Sequence, residues 1–210
     1  MKTMKKGTAV IVDDHPLAVL AIRALLEGNG ITILAEQADG HMGLKAINEL
    51  NPEIAIIDLD LPIRSGIELI EDLRQNGSSC IIIIVSAKND LFYGKRCADA
   101  GANAFVSKKK DLVNIIKAIE AAWNGYSYFP FSLNKHIGSH SSEAAKLESL
   151  STQEVNVMRY LLKGMDISLI SMEMGISNKT VSTYKSRLMD KLGCSTLIEL
   201  YDFANRNKLG

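Results

Sequence analysis

The sequence predicts an α/β domain with a five-stranded, doubly wound parallel sheet, followed by a small all-α domain of four helices. The first 125 residues alternate short apolar runs with helical patterns. Strands that are apolar on both faces are typical of a parallel sheet buried between helices. From Leu150 onward only helical patterns appear. With 210 residues, the chain is long enough for one medium and one small domain.

Five β-α units account for the first part of the chain. The predicted strands are Thr8–Asp13, Ile31–Glu36, Ile54–Asp58, Cys80–Ser86 and Asn103–Val106. The predicted helices are Leu17–Glu27, Met42–Leu50, Gly66–Gln75, Leu91–Ala100 and Leu112–Asn124. A glycine or a proline closely follows every one of these helices, as is common at helix ends. In such a sheet, the ligand site lies at the carboxyl ends of the strands.

We divide the chain into a first domain at residues 7–125, a linker at 126–147 and a second domain at 148–210. Serine, histidine, asparagine and glycine dominate Ser132–Ser142, and helical periodicity fades there. The aromatic segment Tyr126–Phe131 is a candidate for packing on the first domain. The predicted helices of the second domain are Thr152–Lys163, Ile167–Met174, Asn178–Leu192 and Thr196–Arg206.

Composition predicts a cytoplasmic protein with no membrane association. Apolar residues make up 47% and charged residues 23% of the chain, and its net charge is zero. No apolar run approaches the roughly 20 residues that span a bilayer, and Asp13 and Asp14 interrupt the first apolar stretch, which argues against an export signal. Three widely spaced cysteines without a CxxC pair fit reduced thiols rather than disulfides or a zinc site.

Three aspartates stand at predicted strand ends. Asp13 and Asp14 close the first strand, and Asp58 closes the third. Gathered at one edge, like charges need a compensating cation, and oxygen ligands suit Mg²⁺. A carboxylate can also form an aspartyl-phosphate. Ser86 and Lys108, after the fourth and fifth strands, would add a hydroxyl and a mobile positive charge. A single strand-end aspartate can equally be a helix N-cap, so the prediction rests on the combination.

Together, these residues resemble the receiver domain of two-component response regulators, which has a flavodoxin-like fold. The resemblance covers residues 7–125 and includes Pro62 and Gly66 behind Asp58. It implies that Asp58 accepts a phosphoryl group from a sensor histidine kinase or a histidine phosphotransfer domain. The residues implied to hold Mg²⁺ are Asp13, Asp14, Asp58 and the backbone carbonyl of Asp60.

The same resemblance assigns three further roles. Ser86 and Lys108 would hold the phosphoryl group once it is attached to Asp58. Phe105 occupies the position of the family's switching aromatic residue. Because Phe105 has no hydroxyl, packing alone would have to drive its inward rotation.

A helix-turn-helix pattern lies in the second domain. Ile167–Met174 is a short helix, Gly175 supplies the turn, and Asn178–Leu192 follows. A polar, basic helix of this size fits the major groove of DNA. The candidate DNA-binding residues are Lys179, Thr180, Ser182, Thr183, Lys185, Ser186 and Arg187. The alternative is an ordinary amphipathic surface helix.

This second domain resembles the LuxR-type output domain of NarL/FixJ regulators, in particular the BvgA/EvgA branch. The resemblance rests on Leu150-Ser-Thr-Gln-Glu, Gly164 and Ile176-Ser-Asn-Lys-Thr-Val. It implies base contacts from the hydroxyl residues, backbone contacts from the basic ones, and a homodimer joined by the last helix. Where the family is usually polar, this chain has Ile167-Ser168-Leu169, which either argues against phosphate contacts from this helix or suggests an extra apolar contact surface.

The sequence therefore predicts a DNA-binding response regulator, with promoter DNA, a phosphodonor kinase and a second copy as partners and RNA polymerase as a further candidate. It is not expected to be an enzyme. One alternative is a phosphatase of the haloacid dehalogenase type, because Asp58-Leu59-Asp60 resembles that nucleophile motif. That motif normally follows the first strand, however, and here it follows the third. A second alternative is DNA binding that is independent of phosphorylation.

Overall fold

The protein is described by a computed structural model that covers residues 7–88, 90–109, 111–130, 142–207 and 209. The chain divides into two compact units, with the boundary after Pro130. Within the stated ranges, no helix is both long and apolar enough to cross a membrane. Part of the predicted linker, residues 131–141, lies outside the described residues.

The first unit contains a five-stranded parallel sheet with the strand order β2-β1-β3-β4-β5, so the prediction of a doubly wound sheet is confirmed. The strands are β1 (Thr8–Val12), β2 (Thr32–Gln37), β3 (Ile54–Ile57), β4 (Ile81–Ser86) and β5 (Ala104–Ser107). The helices are α1 (Pro16–Gly28), α2 (Gly40–Leu50), α3 (Gly66–Gln75), α4 (Asp90–Ala100) and α5 (Asn114–Trp123).

The central strands are buried on both faces, which explains their uninterrupted apolar runs. Every residue of β3 is at most 1% exposed, and Val12 is fully buried. Val12 pairs with Ile57, and Ile57 pairs with Ile84, in parallel register. Because the strands run in one direction, the residues that follow them meet at one edge of the sheet.

Gly66 fixes the loop that follows β3. Its backbone N–H donates to the carbonyl of Leu59 at 3.0 Å. A Cβ at Gly66 would lie only 2.4 Å from the carbonyl oxygen of Asp58, so only glycine fits there without a backbone shift. Ser65 then caps α3 in a reciprocal pair with Glu68. The start of α3 therefore holds Asp58 in place.

Residues at the end of the first unit run beside β5. The N–H of Phe105 donates to the carbonyl of Tyr128 at 2.9 Å, and the N–H of Tyr128 donates to the carbonyl of Asn103 at 3.1 Å. Tyr128 also packs against the core of the sheet. This part of the predicted linker thus packs on the first unit, whereas Phe131 lies outside the described residues.

The second unit is helical, as predicted, and its helices are α6 (Ser142–Glu148), α7 (Thr152–Leu162), α8 (Ile167–Met174), α9 (Asn178–Leu192) and α10 (Leu197–Arg206). Helix α6 lies almost entirely within the predicted linker, residues 126–147, and the bounds of that linker stay a prediction. Tertiary contacts explain this short helix: Lys146 Nζ donates to the carbonyl of Leu192 at 2.8 Å, and Glu143 pairs with Arg206 at 3.2 Å.

Candidate functional site

Side chains that follow three strands meet at the carboxyl edge of the sheet. Asp13 follows β1, Asp58 follows β3, and both residues are only 3% exposed. Lys108, which follows β5, places its Nζ 2.7 Å from Asp13 Oδ2 and 2.9 Å from Asp58 Oδ1. The structure therefore brings together three of the predicted site residues, and one ammonium group bridges two buried carboxylates.

The positive charge of Lys108 does not fully compensate the burial of Asp58 beside Asp13. Burial raises the pKa of Asp58, and Asp13 raises it further, although Lys108 acts in the opposite direction. Burial lowers the pKa of Lys108, but the two carboxylates outweigh burial and raise that pKa overall. Lys108 is thus an ammonium at neutral pH, and ionisation of Asp58 costs more than it does in water. An additional cation beside Asp58 would lower that cost.

Asp14 and His15 complete the mouth of the pocket. His15 Nδ1 lies 2.8 Å from Asp14 Oδ1 and 3.2 Å from Asp13 Oδ1. One ligand atom from each of these three residues and from Asp58 lies within 4.8 Å of the others. The carboxylate oxygens are the donors that Mg²⁺ prefers, so the pocket is compatible with that ion. His15 was not among the predicted site residues, although it directly follows Asp14 in the sequence.

Asp60 and Ser86 border the same pocket. The N–H of Asp60 donates to Asp58 Oδ2 at 3.0 Å, and Ser86, 1% exposed, accepts from the N–H of Lys88 at 3.2 Å. The ammonium of Lys88 lies 3.3 Å from the carboxylate of Asp60 and joins the two loops. Lys88 was not among the site residues predicted from the sequence. The predicted metal contact of the Asp60 carbonyl stays a prediction.

Phe105 is buried in the middle of β5. It is 1% exposed and pairs with Ile84 of β4. Its backbone is bonded to Tyr128, as described above, and its side chain approaches the position of Gly94 on α4. Its predicted role as a switch stays a prediction.

Helices α8 and α9 form the predicted helix-turn-helix. Asp166 caps the start of α8, Gly175 ends it with a φ of 63°, and Ser177 caps α9 by accepting from the N–H of Thr180. Glycine suits such a left-handed turn position. Val181 and Leu188 of α9 are fully buried, so the opposite face of this helix is turned to solvent.

The predicted DNA-binding residues are not equally accessible. Lys179, Ser182, Thr183, Ser186 and Arg187 are exposed, whereas Thr180 and Lys185 are half-buried. The spacing of residues 179, 182, 183 and 186 places them on one face of α9. Thr180 is engaged at the helix cap, where its Oγ1 lies 2.8 Å from Ser177 Oγ.

A cavity of about 510 Å³ lies beside this face. Ser182, Lys185 and Ser186 line it from α9, together with further residues of α8, α9, the α9–α10 connection and the start of α10. Lys191, at the end of α9, is exposed but paired, because its Nζ lies 2.7 Å from Glu154 Oε2. One positive charge of α9 is therefore already balanced within the second unit.

Two other surfaces of the second unit bear on the predictions. Leu169 and Met172 of α8 are 49% and 77% exposed, which agrees with an apolar surface on that helix. On α10, Leu200 and Ala204 are buried, but Ile198 is 74% exposed. Most of α10 thus packs within its own unit, and the start of the helix is open.

The whole arrangement matches known protein families. The response regulator receiver domain model matches residues 9–120, and the model of the luxR family of bacterial regulatory proteins matches residues 148–204. The chain is a response regulator of the NarL/FixJ family. This response regulator is 61% identical over 202 residues to the DNA-binding transcriptional activator EvgA of Escherichia coli K12, covering 96% of this chain and 99% of EvgA.

More distant relatives agree with this assignment. The response regulator is 36% identical to the virulence factors putative positive transcription regulator BvgA of Bordetella pertussis, covering 95% of this chain and 97% of BvgA. It resembles a solved structure of RcsB from Salmonella typhimurium with a TM-score of 0.79 and 26% identity, over 98% of this chain and 100% of that one. EvgA and BvgA are named transcription regulators, and this chain is likewise a regulator rather than an enzyme.

Proposed function

We propose that this response regulator accepts a phosphoryl group on Asp58 and that phosphorylation increases the affinity of α9 for promoter DNA. The observation that carries the proposal is the contact of Lys108 with both Asp13 and Asp58 at the edge of the sheet. A structural ion pair needs one carboxylate, whereas a phosphoryl site needs a nucleophile, a cation and donors for an added ion.

The donor is a phosphohistidine of a sensor kinase or of a phosphotransfer domain. The Asp58 carboxylate attacks phosphorus, a P–O bond forms, and the P–N bond to the histidine breaks. Asp13, Asp14 and Asp58 would hold Mg²⁺, together with the carbonyl of Asp60. When bound, Mg²⁺ offsets negative charge on the phosphoryl oxygens. Lys108 can then exchange its contact with Asp58 for one with the phosphoryl group.

Phosphorylation then shifts a conformational equilibrium of the first unit. Ser86 and Lys108 bond the new phosphoryl oxygens, and Phe105, on the strand that precedes Lys108, changes its packing. The output is DNA binding by a homodimer in the cytoplasm. EvgA is named a DNA-binding transcriptional activator, and the two-component response regulator RcsB has been solved in complex with DNA. Both observations support this output.

On DNA, we assign two kinds of contact to α9. Lys179, Lys185 and Arg187 would contact phosphates, which supply affinity without sequence preference. The hydroxyls of Ser182, Thr183 and Ser186 would approach base edges in the major groove. The exposure of Lys179 and Arg187 supports their assignment, while Lys185 contributes from the border of the cavity.

Asp58→Asn should abolish the gain in DNA affinity that a phosphodonor produces. The wild type is expected to gain about 5- to 150-fold, the usual range for coupled sites. The assay is fluorescence anisotropy on a promoter fragment, with and without acetyl phosphate and Mg²⁺. Asp111→Asn, which changes an exposed aspartate, is the matched control. An undiminished gain in Asp58→Asn would refute the proposal.

Lys179→Ala should weaken binding to specific and nonspecific DNA alike. Loss of one phosphate contact should reduce the slope of log affinity against log salt by about 0.9. Titrations at several salt concentrations measure this slope, and Lys117→Ala on α5 controls for the change in net charge. An unchanged slope would remove Lys179 from the DNA interface.

A further inference from the structure

Ile63 has an unusual backbone conformation. Its φ is +67°, and among the residues the structure describes only Asn51 is another non-glycine residue with positive φ. Asparagine tolerates this region well, whereas a β-branched side chain is strongly disfavoured there. Ile63 is therefore the residue at which this fold departs furthest from ordinary backbone preferences.

The surrounding loop imposes this conformation. The carbonyl of Pro62 accepts from the N–H of Arg64 at 2.7 Å and from the N–H of Gly40 at 3.3 Å. The side chain of Arg64 pairs with Asp72 on α3. Ile63 itself is 57% exposed, so its side chain gains little from burial that could offset the strain. An asparagine or a glycine at this position would suit the fold better.

The position of Ile63 ties it to the phosphoacceptor. It is five residues from Asp58, at most roughly 18 Å along an extended chain, in a loop that Gly66 closes against the carbonyl of Asp58. Leu17, 82% exposed, stands at the start of α1, just after the aspartates of the neighbouring strand β1. An exposed apolar side chain thus follows each of the two adjacent strands β1 and β3, a few residues after the aspartate at the strand's carboxyl end.

We propose that Ile63 is an apolar anchor for the protein that carries the phosphohistidine. This inference rests on the proposed phosphorylation of Asp58. Because Asp58 is 3% exposed, a donor histidine must enter the pocket, and the protein around it must cover the loops at the mouth. A second copy of this chain docked there would block the donor. A small phosphodonor needs no such contact.

The test compares two donors on three variants. The protein donor is a histidine phosphotransfer domain, phosphorylated on its histidine, that labels the wild-type chain, and the small donor is acetyl phosphate. Ile63→Asn removes the apolar group and relieves the backbone, Ile63→Leu keeps an apolar group, and Asn51→Gly is the control at the other positive-φ position. Asn51 ends α2, ahead of β3 and away from the carboxyl edge.

Ile63→Asn should lower kcat/KM with the protein donor about tenfold, the loss expected for one well-buried aliphatic contact. Its labelling by acetyl phosphate should stay unchanged, and its thermal midpoint should rise. Ile63→Leu and Asn51→Gly should react with both donors as the wild type does.

Three results would overturn the inference. An unchanged rate of Ile63→Asn with the protein donor would exclude the anchor. Equal slowing with both donors would mean that the loop acts on the pocket rather than on the partner. An unchanged rate with weakened self-association would assign Ile63 to a contact between copies. If acetyl phosphate does not label the wild type and no phosphorylated phosphotransfer domain that labels it is found, the proposed function is refuted, and the inference with it.

Discussion

Lys108→Ala is expected to lower the free energy of unfolding by about 2 kcal/mol at pH 7. The substitution leaves Asp13 and Asp58 buried beside each other without their ammonium partner. Removing one member of a fully buried pair typically costs about 3–5 kcal/mol. The expected value is smaller because the Lys108 side chain is 18% exposed. Urea unfolding monitored by the fluorescence of Trp123 measures the difference.

The deficit of Lys108→Ala should depend on pH. In the wild type, Lys108 lowers the pKa of Asp58, although burial keeps that pKa raised overall. Without Lys108, this pKa rises further above its unfolded value. A carboxyl group with a raised folded pKa favours folding when protonated and loses that advantage as pH rises through the folded pKa. The deficit should therefore shrink towards acidic pH. Lys109→Ala, at the exposed neighbouring lysine, should match the wild type at every pH, and a deficit independent of pH would contradict this electrostatic account.

Arg74→Ala is expected to cost about 3 kcal/mol of stability, because one guanidinium joins several segments at the amino-terminal ends of β4 and β5. Its four hydrogen bonds, all between 2.8 and 3.0 Å, go to the carbonyls of Ser78, Cys80 and Gly101 and to Asn103 Oδ1. Hydrogen bonds from charged groups contribute roughly 1.5–3 kcal/mol each when well formed, and partial exposure reduces the sum. Urea unfolding again provides the measurement.

Arg23→Ala provides the matched control for Arg74→Ala. Arg23 is exposed and pairs only with Glu36 among the contacts described, and surface pairs contribute little. Its urea midpoint should stay close to that of the wild type. Equal midpoints for the two variants would show that the Arg74 network does not stabilise the sheet.

The sequence predicts the first unit well because its signals are local. The uninterrupted isoleucine runs identify β3 and β4, and a parallel sheet then forces Asp13, Asp58 and Lys108 to one edge. Strand identification and the placement of these residues at one edge can both be inferred without knowing any side-chain conformation. The pairing of Lys88 with Asp60 does need one, since it depends on how two loops approach each other.

The second unit shows where local signals are insufficient. Gly175 ends α8 and Ser177 caps the start of α9, and both positions can be predicted because caps and turns depend on neighbouring residues. Helix α6 has only seven residues, and its contacts with Leu192 and Arg206 come from distant parts of the chain. Lys191 appears in the sequence as a free basic side chain of α9, but it is paired with Glu154, 37 residues earlier.

The positive φ of Ile63 could not be predicted from its residue type, which argues for an extended backbone. It arises from the bonds of the flanking residues to Gly40 and within the loop. A position at which the fold overrides local preference, beside the pocket, is where a functional constraint is expected.

The central claim, that Asp58 is the phosphoacceptor, is tested most directly by intact-mass measurement after incubation with acetyl phosphate and Mg²⁺. Wild type and Asp58→Ala are compared under conditions in which both are folded. We predict a single phosphoryl adduct on the wild type and none on Asp58→Ala. An adduct on both would place the phosphoryl group elsewhere, and no adduct on the folded wild type would contradict the account and leave a DNA-binding protein that is controlled by other means.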